Sequence, residues 1–247
     1  MLQTWHFGRR GRAAAIGVVS LLVACFLGFA APAAHGQASR NLAPGFTHLP
    51  PNSKILLTPI DVELFSISAG GVSEPRADWT SAAQANMKRE LGRLKDRYKG
   101  ETIELDEKTA DALAEQLALH AAVARSIHLH HGLGGTWALP TKDGKLDWSF
   151  GDALKPLQDK SGARYALFLW LRDSYASGER VAAMVLMAVL GVGLPGGSQV
   201  GYASLVDLES GRVLWFNSLA RVTGDLREPG KAAETVDALL AGFPGVQ

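Results

Sequence analysis

Four charged residues come nearest to a chemical constellation: Asp61, Glu63, Arg172 and Asp173. Asp61 and Glu63 follow an apolar stretch, Lys54–Ile60, that reads as a strand buried on both faces. Arg172 and Asp173 follow a second such stretch, Tyr165–Leu171. If these strands are parallel neighbours, the four charges gather at their carboxyl ends, where open α/β sheets bind ligands. Paired carboxylates there could exchange protons or hold a cation. The plainer reading is that buried strands end in charge where the chain meets water.

Other candidates are thinner. His128, His130 and His131, with His120 upstream on the same expected helix, form the densest histidine group. Spacings of two and one point the rings in different directions on a helix, and no carboxylate is close in sequence, so a metal is not expected. Histidines at a helix C-terminus also suit its partial negative charge. Gly191-Val192-Gly193-Leu194-Pro195-Gly196 matches G-x-G-x-x-G, but a strand rather than a helix is expected after it, and Pro195 lacks an N–H for a phosphate. No G-x-S-x-G, Walker or H-E-x-x-H motif occurs. No catalytic, cofactor or metal residue is assigned. The alternative is a periplasmic enzyme that uses the carboxylate/Arg cluster or a histidine-bound metal.

Val181–Val192 is a charge-free apolar run. As a helix it is about 18 Å long, too short to cross a bilayer of about 30 Å. It is either core or a contact surface, with Val181, Met184, Met187 and Leu190 as the candidate contacts, and flanking glycines with Ser174–Gly178 would let it move as a unit.

Several elements must position these residues. Asp78 is an expected N-cap for a helix to about Tyr98, with Trp79, Ala83, Met87, Leu91 and Leu94 on one stripe and Glu90 off it. Thr102–Leu105 reads as a short strand. Thr109–Ile127 reads as a helix with Leu113, Leu117, Ala121 and Ala124 inward. Phe150–Lys160 reads as a short helix interrupted by Pro156. Tyr202–Leu208 and Arg212–Ala220 pair as a hairpin around Glu209-Ser210-Gly211, and Lys231–Phe243 closes the chain as a helix. Ser66–Pro75 reads as a loop. The order predicts an α/β fold: a mixed β-sheet with helices packed on it, a three-layer sandwich ending in a β-hairpin and a helix.

The 247 residues carry 25 Lys+Arg and 24 Asp+Glu, and 47% are hydrophobic. These values exclude a disordered chain, and a net charge of +1 gives no electrostatic footprint for nucleic acid. Arg9, Arg10 and Arg12 precede an apolar run from Ala13 to Ala34, and no acidic residue occurs before Asp61. That is the plan of an export signal, with an exit at Gly36-Gln37-Ala38. Cleavage there removes those three arginines and leaves a weakly acidic chain. Two rivals stand beside it: lipidation of Cys25 in Leu22-Val23-Ala24-Cys25, and an uncleaved anchor. All three put the fold outside the cytoplasm, in the periplasm or against the outer membrane. Residues 1–38 are therefore read as a signal peptide, 39–53 as a linker and 54–247 as a single α/β domain. Cys25 is the only cysteine, so the domain has neither a disulfide nor a thiol nucleophile.

Gly162-Ala163-Arg164-Tyr165-Ala166-Leu167-Phe168 resembles the "G-A-x-Y-x-L" strand of CsgG-like bacterial envelope proteins. Tyr202–Trp215 resembles their "L-x-D-x-x-T-G-x-x-x-W" hairpin. The group includes the curli-secretion channel CsgG and lipoprotein activators of penicillin-binding proteins. The resemblance covers Gly162–Ala220, with looser agreement at Lys54–Ile60. It implies a non-enzymatic envelope accessory protein; with the Val181–Val192 run, the expected partner is an envelope protein or a membrane surface, no cofactor is expected, and a homo-oligomer is allowed. The chain lacks the paired hairpins of alternating hydrophobicity that build a secretion pore, so a channel is not expected.

Overall fold

The computed structural model describes residues 39–97 and 100–246, and the leader readings, Cys25 included, lie outside them. The described residues belong to one compact unit. Its elements are β1 (Lys54–Leu57), β2 (Asp61–Ile67), β3 (Ser73–Pro75), α1 (Ala77–Arg97), β4 (Glu101–Glu104), α2 (Glu107–Ala112), α3 (Ala114–Ile127), α4 (Lys155–Ser161), β5 (Tyr165–Ala176), α5 (Gly178–Val189), β6 (Gly197–Asp207), β7 (Val213–Arg221) and α6 (Pro229–Leu239).

The strands form one seven-stranded mixed sheet organised around β5. One edge of β5 pairs antiparallel with β6 from Tyr165↔Asp207 to Tyr175↔Gly197, and β6 pairs on with β7. Gly211, at φ 67°, supplies the left-handed turn residue of that hairpin. The other edge of β5 is shared by two parallel strands in succession. β1 takes Tyr165–Leu167 and β2 takes Trp170–Ala176. β4 then pairs with β1, and β3 with β2.

The first expected strand therefore stops at Leu57. Thr58 closes it with its N–H and hydroxyl, both donated to Leu167 O, and Pro59 has no N–H to continue the ladder. Asp61 and Glu63 are not end-of-strand charges. They are outward positions of β2, whose Val62, Leu64 and Ser66 are the buried alternates.

Alternation along β5 fills both layers. Tyr165, Leu167, Leu169 and Leu171 pack with Met87 and Leu91 of α1 and Val236 and Leu239 of α6. Ala166, Phe168 and Trp170 pack with Ala124 and Ile127 of α3 and Leu157 of α4. The result is the α/β three-layer arrangement. The expected α1 stripe holds at Ala83, Met87 and Leu91, all buried. Asp78 lies inside the first turn of α1 and pairs with Arg76 at 3.0 Å. Glu90 is buried as well, with Arg93 2.5 Å from its carboxylate.

Three further expectations are corrected. The helix expected over Thr109–Ile127 breaks at Leu113, between α2 and α3, and runs on as a π-helical turn, His128–Leu133. Pro156 starts α4 rather than interrupting it, since the first turn needs no N–H there. The segment 39–53 carries no helix, yet it is fastened to the sheet. Leu42 bridges Trp215, Leu49 is fully buried, and Arg212 donates to Pro44 O at 2.6 Å.

Candidate functional site

The four charges do not converge. Successive residues of a strand point to opposite faces, and Arg172 and Asp173 are successive. Arg172 lies on the α3 face beside Asp61 and Glu63. Its guanidinium is 2.6 Å from Asp61 Oδ1 and 3.4 Å from Glu63 Oε2, and it stacks over Trp170 at 4.6 Å. The arginine is thus occupied by two carboxylates at a partly exposed site. Such a trio fastens β2 to β5 and leaves no free acid and base facing one another.

Asp173 lies on the α1/α6 face and is buried. Its carboxylate accepts from Gln199 Nε2 at 2.7 Å and from the Tyr175 hydroxyl. That hydroxyl accepts from Leu226 N at 2.8 Å. Gln199 Oε1 accepts from Arg221 Nε at 2.8 Å and from the Thr235 hydroxyl at 3.0 Å. The network ties β5, β6, β7, α6 and the turn at Leu226 together. Burial pushes the Asp173 carboxyl up from the ordinary range, against the hydrogen bonds from Tyr175 and Gln199. Burial, and then the bond to Asp173, pushes the Tyr175 hydroxyl up. Each of these side chains has a partner inside the protein, so the network reads as structural. No local pattern in the sequence marks it.

The histidines also go to separate places. His120 is buried and stacks on Phe168 at 5.0 Å, with Nε2 2.9 Å from the Ser204 hydroxyl. Burial lowers its pKa to about 3, so the ring is neutral. Ser204 is fully buried, so its hydroxyl is closed off from solvent. His130 Nδ1 meets Trp137 O at 2.7 Å, and His131 Nε2 meets Arg40 O at 2.8 Å. His128 is held below its usual range by burial, and its Nδ1 is enclosed without a partner among the described residues. The glycine motif joins α5 to β6, a strand, and has no helix N-terminus to present to a phosphate.

Two grooves flank the break between β1 and β2. One, of about 260 Å³, runs between α1 and β4, with Lys88 and Glu104 at 3.5 Å on its wall. The other, of about 290 Å³, is lined by Asp111, Leu117, His120 and Phe168. Asp61 and Thr58 also line the second groove, but Thr58 donates its hydroxyl to Leu167 O and Ser204 lines neither groove.

The segment left open between core and contact surface is α5, and most of its apolar side chains face water. Val185 is 64% exposed, Leu186 65%, Val189 81% and Leu190 69%. Val181 is exposed as well, whereas Met184 and Met187 are half-buried. Met184 lies against Gly196, where a Cβ would come within 3.2 Å of its Cε. The helix is locally well made. The Ser177 hydroxyl caps it by accepting from Arg180 N at 3.1 Å, and Gly191, at φ 76°, follows its last turn. Its base is anchored. Arg180 is buried and donates to Ala69 O and Pro195 O at 3.4 and 3.2 Å. The expected flexible joint before it is absent, because Ser174–Ala176 belong to β5. Val72, 61% exposed, lies in the turn that Arg180 grips, and Val222, 80% exposed, lines a small cavity with Gly196 and Gly197. Apart from Leu133 and Trp137, every large apolar side chain strongly exposed among the described residues is at this end of the sheet.

No family model matches the sequence, and no curated protein matches it. Similar solved structures exist. The PelC dodecamer from Paraburkholderia phytofirmans is 14% identical, with 81% of this chain and 95% of that chain covered and a TM-score of 0.35. Lipoprotein GNA1162 from Neisseria meningitidis is 13% identical, with 76% and 94% covered and a TM-score of 0.31. The LpoB C-terminal domain from Salmonella enterica is 12% identical, with 72% and 87% covered and a TM-score of 0.29. At these identities and TM-scores the likenesses carry no argument about function.

Proposed function

We propose that this chain is an exported, non-enzymatic accessory protein of the cell envelope that binds another envelope component through the apolar end built by α5. One observation carries the reading: a capped, anchored helix holds Val185, Leu186, Val189 and Leu190 in water. A helix apolar all round belongs in an interior, and this one has an interior on one side only. Covering the other side is what a partner would do. The CsgG-like stretches Gly162–Phe168 and Tyr202–Trp215 support the envelope setting, as do the leader readings. Arg172 and Asp173 facing opposite ways, and the burial of Ser204, count against the enzyme reading.

The test is site-specific photo-crosslinking in the living cell. A photoreactive residue at Leu186 is expected to give adducts with an envelope component, protein or lipid, and one at exposed Asp152 none. Equal labelling at both positions would remove the contact end from the account.

A further inference from the structure

We propose that the apolar end seats in the hydrocarbon surface of a lipid bilayer, with α5 lying in the plane of the interface. This rests on the reading of that end as a contact surface and names its occupant.

The argument is one of complementarity. No charged residue occurs between Val181 and Ser198. The outward side of α5 carries one carboxylate, Glu179 in its first turn, and from there on only Val181, Ala182, Val185, Leu186, Ala188 and Val189, followed by Leu190 at its C-cap, none with a side-chain donor or acceptor. Protein interfaces carry about one hydrogen bond per 100–200 Å² and a polar rim. Beyond Glu179 the α5 run offers no donor or acceptor, and hydrocarbon asks for none. Arg180, the cation on α5, is turned inward and held by the carbonyls of Ala69 and Pro195, so it cannot reach a phosphate headgroup. Anionic lipid is therefore not what the end recognises.

The shape agrees. Val72 and Val222 bring apolar side chains from two other connections to the same end, which makes a cap rather than a stripe on one flank. A protein groove for a single helix would leave them uncovered, and a bilayer surface would take all three. The helix spans 12 residues, about 18 Å, and no described helix is long and apolar enough to cross a membrane. An apolar face of this kind sits about 5–10 Å into the headgroup–acyl boundary. The polar face that an isolated interfacial helix needs is replaced here by the body of the domain.

The experiment uses the full chain with Cys25→Ser, which removes any lipid anchor, and an environment-sensitive fluorophore on Val189→Cys. With phosphatidylcholine vesicles the label is expected to brighten several-fold and to be quenched by nitroxide-bearing lipids. A label on Asp152→Cys stays in water. The signal persists from about 0.05 M to about 0.5 M salt, because no screened charge is involved, and adding Leu186→Glu abolishes it with the far-ultraviolet circular dichroism unchanged. No lipid quenching, but brightening that rises with protein concentration, would overturn the bilayer in favour of a second copy and leave the contact end standing. A label that stays in water with vesicles, at high concentration and with isolated envelope membranes would overturn both.

Discussion

The two halves of β5 treat burial in opposite ways. Along Tyr165–Leu171 the rule is ordinary, with apolar side chains enclosed on both faces. Along Arg172–Ala176 and the α5 connection the order is inverted. Asp173, Arg180, Gln199 and Thr235 are buried, while Val185, Leu186, Val189 and Leu190 are in water. The buried polar groups form a hydrogen-bonded scaffold that holds the end, with Arg180 Nε left without a partner among the described residues, and the exposed apolar groups are what that scaffold presents. An exposed apolar surface on a rigid mount differs from one on a frayed loop, because its shape is kept for an occupant.

The contrast can be broken at several points. The largest expected effect is in the dry half. Leu167→Ala should cost about 2–5 kcal/mol in denaturant unfolding through lost contacts and a cavity. Leu186→Ser, an equally drastic change of chemistry at the exposed end, should shift stability by no more than about 0.5 kcal/mol. Similar losses at both would dissolve the distinction.

Acid should act next through His120. Its folded pKa, near 3, lies below its usual 6.5, so the unfolded chain takes up a proton that the native state refuses. Stability is therefore lost as pH falls through this window, at up to about 1.4 kcal/mol per pH unit for one proton. The double variant His120→Phe/Ser204→Ala should flatten that slope in urea titrations at a series of pH values.

Asp173→Ala should cost about 1–3 kcal/mol, because the Tyr175 hydroxyl and Gln199 amide lose their buried acceptor. Asp173→Asn keeps an acceptor and should cost less. The sign of its pH effect is opposite to that of His120. The folded carboxyl is raised, so the native state holds its proton longer than the unfolded chain. Its contribution is fully present below the ordinary carboxylate range and fades as pH rises through the raised folded value. Asp173→Asn should erase that fading. The smallest effect is expected at Arg172→Met, about 0–1 kcal/mol, since its ion pairs with Asp61 and Glu63 are partly exposed. A larger loss there would mean that the trio does more than fasten two strands.

What was legible in the sequence follows from how local each signal is. The unbroken apolar run Tyr165–Leu171, the hairpin around Gly211 and the α1 stripe are carried by neighbouring residues, and all three hold. β2 was hidden because only Val62 and Leu64 alternate as buried apolar residues, and Phe65 and Ile67 blur the period. β5 runs past Leu171 because Arg172, Asp173 and Ser174 find partners across the sheet, which no window of sequence shows. The same holds for segment 39–53, where Leu49 is buried by residues far along the chain. The α5 segment was conspicuous by composition, but composition does not say which way a side chain points. Asp61, Glu63, Arg172 and Asp173 looked like one cluster only while the faces of the strands were unknown.

Amide hydrogen exchange across the α5 connection tests the central claim most directly. It would compare the free protein with the protein bound to isolated envelope membranes. In the free protein, Gly178–Val189 should exchange faster than Tyr165–Leu171, since α5 is anchored at its base but open to water along one side. On membrane binding its exchange should slow about tenfold or more together with the turn at 68–72, with no change in Tyr165–Leu171. Unchanged exchange in α5, with the protein demonstrably bound, would show that the molecule attaches by some other surface and that the apolar end is not its contact.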